Sequence, residues 1–339
     1  MTGRAIRWLL SFAHRSPARN GSAPEGRLTI VRHHRVYADG ERPLYRLGVG
    51  ESVFTAQLDL LARHGLTPVT VAEGWRRLSS GERGTWVAMS FDDGYADNVW
   101  RALTRLQAVG GRATFYLTAG LIEERRAPWW DDLAFALTRA RAERRGITLG
   151  TTAFDLPLRH DGERLRAHHA LSRALRVPPA EREHRLATLR LRLGVSEPAP
   201  CELATWDTAL ALVRSGMEVG AHTMTHPHLT TLDPHDQRLE IEESIELIER
   251  RLGVRATGLA YPGGDHGPAT VEAARACGLE YAVTTRAGEN RAGAAPYELR
   301  RRGLSEGACL GPTGRFSRRL ALAELDGAFD RLRSVEVAS

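Results

Sequence analysis

The sequence predicts an α/β fold, either a barrel or an open doubly wound sheet, and three observations predict it. A strand–turn–helix–strand unit lies between residues 86 and 117, alternating strands and helices return after residue 200, and the composition is globular. Of the 339 residues, 42% are apolar and 26% charged, which excludes disordered, collagen-like and membrane-embedded classes.

Taken in order, the chain begins with Arg4 and Arg7 around the run Trp8-Leu9-Leu10-Ser11-Phe12-Ala13, marginal as a secretory core and without a small-residue cleavage site. Residues 14–27 read as a polar loop. Leu28 to Val31 is a short strand ending at His33 and His34. A helix over about 53–64 follows from Phe54, Leu58, Leu61 and Ala62 at helical spacing, closed by Gly65. Trp86 to Phe91 is a continuous apolar run of strand length, broken by Asp92-Asp93-Gly94. The next helix, near 97–109, places Val99, Leu103 and Leu106 on one face and stops at Gly110-Gly111; Ala113 to Leu117 is a second buried strand.

Between about 125 and 200 this rhythm breaks. The stretch is rich in Arg, Leu, Ala and His, as in RLRAHHALSRALR at 164–176, and reads as several amphipathic helices inserted into the α/β core. After it come a helix near 205–215 and the strand Met217 to Ala221, which ends at His222. Asp233 is an N-cap with Pro234 at the first helical position; Ile241, Ile245, Ile248 and Leu252 line one face, and Gly253 ends the helix. Leu259 to Tyr261 is a short strand, Pro268 opens a helix that Gly278 closes, and Tyr281 to Thr285 is another strand.

The 47 basic and 41 acidic residues give a formal charge of +6, and every basic residue is arginine. Opposite charges are interspersed, as in EERR at 123–126, with no basic stripe, which excludes a nucleic-acid partner. No stretch approaches the ~20 apolar residues of a membrane-spanning helix, so a soluble chain without an integral span is expected. The pattern specifies no oligomeric state. Cys201, Cys277 and Cys309 are widely separated and lack a CxxC, so neither a disulfide framework nor a thiolate zinc site is available. Any metal must be held by histidine and carboxylate.

Two motifs supply such groups. In HTMTH, His222 and His226 follow a strand at i, i+4 spacing, from which two imidazoles can chelate one cation; the same spacing also arises by chance among 13 histidines, and His228 adds a third imidazole nearby. Asp92 and Asp93 end a buried strand, where adjacent carboxylates repel unless a cation or hydrogen bonds compensate. Side chains alternate along a strand, so both can serve one site only if the chain is already turning, as Gly94 permits. The carboxyl end of a parallel strand is where α/β folds place active sites. A turn or N-cap role for the aspartates, or a nucleotide-sugar/Mn²⁺ motif of a glycosyltransferase, are rival readings; the latter leaves HTMTH without a task. Two histidines and one aspartate on a metal, with a position open for water and a free carboxylate beside it, is the arrangement of a catalytic zinc site.

MSFDDGYADN (89–98) and GAHTMTHPHL (220–229) resemble the first two motifs of the polysaccharide deacetylases, carbohydrate esterase family 4, and LAYPGG (259–264) is similar to that family's Tyr-Pro-Tyr-Gly-type segment. The resemblance runs from about 28 to 124 and resumes from about 200 to 304. It implies a distorted (β/α) barrel of about seven parallel strands over 28–307 with a helical insertion at about 125–200, between an N-terminal extension (1–27) and a C-terminal helical tail (308–339). It further implies Zn²⁺, or another divalent ion such as Co²⁺, on Asp93, His222 and His226, with Asp92 as general base and a backbone N–H near Gly263 in the oxyanion site. Some members carry the acid histidine near the C-terminus; permuted members carry it in an N-terminal segment like Tyr-His-Arg-Val. VRHHRV (31–36) resembles the second kind, which assigns His34 as the acid, with His33 in place of the usual aromatic.

Two departures stand out. Ala260 occupies the position before Tyr261 where the family often has the Arg that tethers the base, and ELRRRGL (298–304) is expected to supply it from a neighbouring strand as Arg301. Gly263 stands where many members have Tyr, which removes a ring from the pocket wall formed with Tyr261 and Pro262. In the insertion, Trp129 and Trp130 either stack on sugar rings or cover the core at a helix start. The expected activity is hydrolytic deacetylation of N-acetylated, or O-acetylated, sugars of a bacterial-type glycan. A catalytically silent glycan-binding member and a same-fold hydrolase of a non-sugar amide are the alternatives.

Overall fold

A computed structural model of the chain describes residues 3–13 and 25–330; the loop expected at 14–27 lies outside them through residue 24, and the tail beyond residue 330 lies outside as well. Seven parallel strands form one curled sheet: β1 (Arg27–His33), β2 (Thr85–Phe91), β3 (Ala113–Leu117), β4 (Glu218–Ala221), β5 (Gly258–Ala260), β6 (Tyr281–Val283) and β7 (Arg301–Gly303). β1 to β6 follow one another across the sheet in chain order, as right-handed β–α–β crossovers dictate. The edges then meet. β7 pairs with Ile30–Arg32 of β1, while Leu299 just before it exchanges hydrogen bonds with Ala282 and Thr284 beyond β6. The sheet is thereby drawn into a distorted (β/α) barrel, and the short pair Asn290–Arg291 joins β1 antiparallel at the edge.

Alternation sorts the strand residues. Val31, Val87, Met89, Phe91, Phe115 and Val219 face the outer helices and form the largest apolar core. Leu28, Ile30, Ala88, Tyr116 and Tyr281 form a separate inner cluster. The helices Glu51–Arg63, Trp206–Arg214, Pro234–Leu252 and Pro268–Ala276 occur where hydrophobic spacing predicts them, and the Asp233 side chain accepts from Asp236 N–H as an N-cap. The helix Val71–Ser79 has no counterpart in the sequence reading, since its nine residues include Gly74 and no long apolar stripe. Near 97–109 the chain makes a π-helical turn, Asn98–Ala102, before the α-helix Leu103–Ala108.

The insertion is not wholly helical, which corrects the expectation. Helices Trp129–Arg139, Asp161–Ala174 and Pro179–Leu193 surround an antiparallel hairpin, Arg144–Leu149 with Thr152–Pro157. The hairpin exposes most of its residues, so arginine-rich composition masked the alternation of Ile147 and Leu149, which reach an apolar cluster with Leu133, Leu171, Leu186 and Leu189. The N-terminal run forms helix Gly3–Ala13, with Trp8 packed on Leu320, Ala323 and Phe329. Among the described residues, no helix is long and apolar enough to cross a membrane.

Candidate active site

Every element of the site hangs from the carboxyl end of a barrel strand. β2 runs into Asp92-Asp93-Gly94, and here alternation fails: Asp93 has φ 74° and Gly94 φ 84°. The turn begins one residue earlier than Gly94 suggested, and a non-glycine residue in this region costs roughly 1–3 kcal/mol, held by the surrounding fold. Both carboxylates therefore face one cavity of about 400 Å³.

β4 runs into His222. The HTMTH segment is a loop and not a helix, with Thr223 at φ 66° and His226 at φ 54°. Its bends are braced from both sides. Glu240 accepts from the N–H groups of Met224 and Thr225 at 2.8 and 2.9 Å, and Thr223 Oγ1 accepts from His226 N–H at 3.1 Å. From the insertion, the fully buried Arg182 donates to the carbonyls of Thr225 (3.0 Å) and His226 (3.2 Å).

The two imidazoles converge on Asp93. His222 Nε2 lies 3.3 Å and His226 Nε2 3.6 Å from Asp93 Oδ1, and one ligand atom from each residue lies within 4.8 Å of the others. His222 Nδ1 bonds the carbonyl of Ala260 at 2.6 Å, which turns Nε2 toward the centre. The second oxygen, Asp93 Oδ2, is buried without a hydrogen-bond partner. An orphaned carboxylate oxygen beside two inward nitrogens fits a divalent cation, since burial of such a group is otherwise costly. Without that cation, burial disfavours the charged form of His222, yet the hydrogen bond to Asp93 and the charges of both aspartates outweigh it and raise its pKa. Burial, with the neighbouring His222 charge, holds His226 far below its ordinary value.

Asp92 does not join this cluster. Arg301 on β7 grips it with two hydrogen bonds, Nη1 to Oδ1 at 2.6 Å and Nη2 to Oδ2 at 2.8 Å, and anchors itself on the Thr284 carbonyl and Ser90 Oγ. Burial alone would push the Asp92 pKa up; the Arg301 charge and hydrogen bonds overcome it and hold the carboxyl well below its usual range. His34 Nε2 stands 3.8 Å from Asp92 Oδ2, and burial holds this imidazole below its ordinary value against the pull of both aspartates. His33, one residue earlier, points the other way and packs between Phe91 and Phe54. Strand alternation thus separates an apolar-side histidine from one in the cavity.

The remaining sequence-predicted residues divide. Gly263 lines the cavity at φ 62°, and a Cβ there would stand 3.2 Å from His228, so a tyrosine in its place would be strained. Tyr261 and Pro262 line no part of the cavity, contrary to their expected contact with substrate. The Tyr261 ring stacks on His266 at 4.9 Å and its hydroxyl donates to the Tyr297 carbonyl, while Pro262 is buried in the turn. Trp129 and Trp130 both reach the cavity. Trp130 is also core: 5% exposed, donating to Tyr95 Oη at 2.8 Å, with its ring 4.3 Å from His226. Arg32, Tyr45, Leu47, Ser172, Arg176 and Thr285 complete the wall. Sequence reasoning missed all six, although Arg32 lies two residues before His34, which follows directly on β1.

Comparisons with known proteins bear on the family and the fold. The family model for polysaccharide deacetylases matches residues 80–282. YxkH of Bacillus subtilis (strain 168), which carries the same family name, is 29% identical over 96 residues; the match covers 28% of this chain and only 34% of that relative. The fold is shared with the Streptococcus pyogenes deacetylase PplD, solved with acetate (TM-score 0.55, 18% identity, 82% of this chain and 92% of that one). It is shared equally with IcaB of Ammonifex degensii (TM-score 0.56, 20% identity, 89% and 97%). With more than half of its length matched by the family model, this chain belongs to the polysaccharide deacetylases.

Proposed function

We propose that the protein is a metal-dependent deacetylase of N-acetylated sugars in a polysaccharide or glycan precursor, with O-acetyl esters as a second substrate class. The observation that carries this reading is the separation of two neighbouring carboxylates into different environments, Asp93 among the imidazoles and Asp92 on Arg301. Asp93, His222 and His226 would hold the cation, zinc or cobalt. Bound there, it supplies Lewis acidity toward water and an acetyl carbonyl.

The chain's own groups do the rest. Asp92, kept ionised by Arg301, takes the proton of the attacking water, and Arg301 acts as its positioning residue. A carboxyl with so low a pKa holds a proton only briefly, and His34 is the next acceptor, 3.8 Å away. His34 enters neutral, gains that proton and delivers it to the departing amine. The backbone N–H of Gly263 faces the developing oxyanion, and Trp129 offers its face to a sugar ring.

The test is acetate release by the zinc- or cobalt-reconstituted full chain over chitin oligomers, peptidoglycan fragments, poly-N-acetylglucosamine and acetylated xylan. Release from at least one is expected. Binding to these glycans with no acetate from any of them would replace the enzyme by a silent glycan binder.

A further inference from the structure

The cavity holds more positive charge than the chemistry above uses. Arg32 and Arg176 line the cavity together with Asp92 and Asp93, while Arg301 holds Asp92 without lining it, so the site carries three guanidinium groups for two carboxylates. Arg301 is spent on Asp92. Arg32 and Arg176 form no hydrogen bond through their side chains and no ion pair with any of the described residues, and both line the cavity. Arg32 rises from β1 two residues before His34; burial and the Arg301 charge depress its pKa to about 10. Asp92 and Asp93 act on Arg32 in the opposite sense, but both carboxylates are already engaged, by Arg301 and by the imidazoles, so a half-buried guanidinium here favours an anionic ligand. Arg176 stands on the opposite, insertion side at the rim, close enough to His228 for its charge, after burial, to lower that imidazole's pKa. The planar fork of a guanidinium matches carboxylate or phosphate oxygens two at a time, and a cleft of one sign draws in the opposite charge.

We propose that Arg32 and Arg176 select an anionic glycan, one bearing a carboxylate or phosphate within about one sugar of the acetylated amine. The inference rests on the deacetylase reading for the place of the acetamido group, and it adds the substrate's charge. Arg32 would take the anion beside the sugar being deacetylated, and Arg176 one on the neighbouring unit. Ser172 and Thr285 are left for uncharged hydroxyls.

Calorimetric titration of the metal-loaded full chain with three probes tests it: N,N′-diacetylchitobiose, a glucuronate–N-acetylglucosamine disaccharide, and N-acetylglucosamine 1-phosphate. At least one charged probe should bind roughly tenfold more tightly than chitobiose, the scale of one charged hydrogen bond. That advantage should shrink in about 0.5 M salt. Whichever charged probe binds better identifies the carboxylate or the phosphate as the source. Arg32→Gln and Arg176→Gln should each reduce the advantage with metal content unchanged by elemental analysis. Arg176, exposed at the rim, keeps the test decisive if the Arg32 variant folds poorly. Chitobiose binding as tightly as both charged probes, no binding of any probe, or an advantage that survives both substitutions would overturn the proposal. Acetate release at equal rates from neutral and charged substrates would also overturn it while leaving the deacetylase intact. Charge-selective binding without acetate from any substrate would instead overturn the deacetylase and leave the anion site standing.

Discussion

Two adjacent aspartates occupy different surroundings here because one backbone torsion separates them. Asp93 takes a left-handed conformation and swings among the imidazoles, while Asp92 stays in line with β2 and meets Arg301 across the barrel. Asp92→Asn keeps the shape and removes the proposed base. Activity should fall by at least ~10²-fold, with metal retained by elemental analysis; full activity would contradict the role proposed for Asp92. A third carboxyl, Asp131, accepts from Tyr95 Oη at 2.8 Å. Burial pushes it up to about 7 against that hydrogen bond and the Arg35 charge. Its folded pKa thus exceeds the unfolded value of about 4. The fold binds this proton more tightly than the unfolded chain, so stability is full below about pH 4 and is lost as pH rises through about 7. Thermal melts at pH 5 and pH 8 should show a smaller drop for Asp131→Asn than for the parent chain; an equal drop would place the effect elsewhere.

At the level of elements, the histidine loop depends on a helix far from it in sequence. Arg182 lies in helix Pro179–Leu193, and its guanidinium holds two carbonyls of a segment with two left-handed residues. It also sits over the Trp129 ring. Arg182→Ala should weaken metal affinity by about 10–100-fold, the effect of removing a group that orients ligands. Competition with a chromogenic chelator measures it, and unchanged affinity would confine the insertion to other roles. The tryptophan pair at the start of helix Trp129–Arg139 should split. Trp130→Ala loses core packing and should cost about 3–5 kcal/mol in denaturant melts. Trp129→Ala should raise KM with a smaller change in stability, and loss of stability with unaltered KM would make Trp129 a packing residue too.

For the whole molecule, the site doubles as a clasp. Asp93 extends from β2, His222 and His226 from β4, and Arg301 ties β7 to the end of β2 across β1. A ligand held by side chains of β2 and β4 binds the folded chain and not the unfolded one. At a hundredfold excess over Kd, a divalent cation should add about 2.7 kcal/mol to unfolding free energy. Chelation should remove that gain, and His226→Ala should be indifferent to added zinc in the same melts. Equal stabilisation of both proteins would put the cation somewhere else.

Most barrel elements and the candidate metal ligands are legible in local pattern alone. Short apolar runs bounded by polar or turn residues place the strands at 28–31, 86–91, 113–117 and 217–221, and the 3.6-residue spacing places the longer helices, though not Val71–Ser79. Asp92, Asp93, His222 and His226 stand out at the ends of apolar strands, whereas only the resemblance to the deacetylase family singles out His34 and Arg301. Which of these residues meet depends on long-range packing. Closure of the seam, the left-handed bends at Asp93 and His226, the buried side of Tyr261, the hairpin inside the insertion, and the unpaired Arg32 and Arg176 all depend on residues tens to hundreds of positions apart. Burial and electrostatic partnership are properties of packing, and no local pattern carries them; the same arginine reads alike in the sequence whether it grips Asp92 or faces an open cavity.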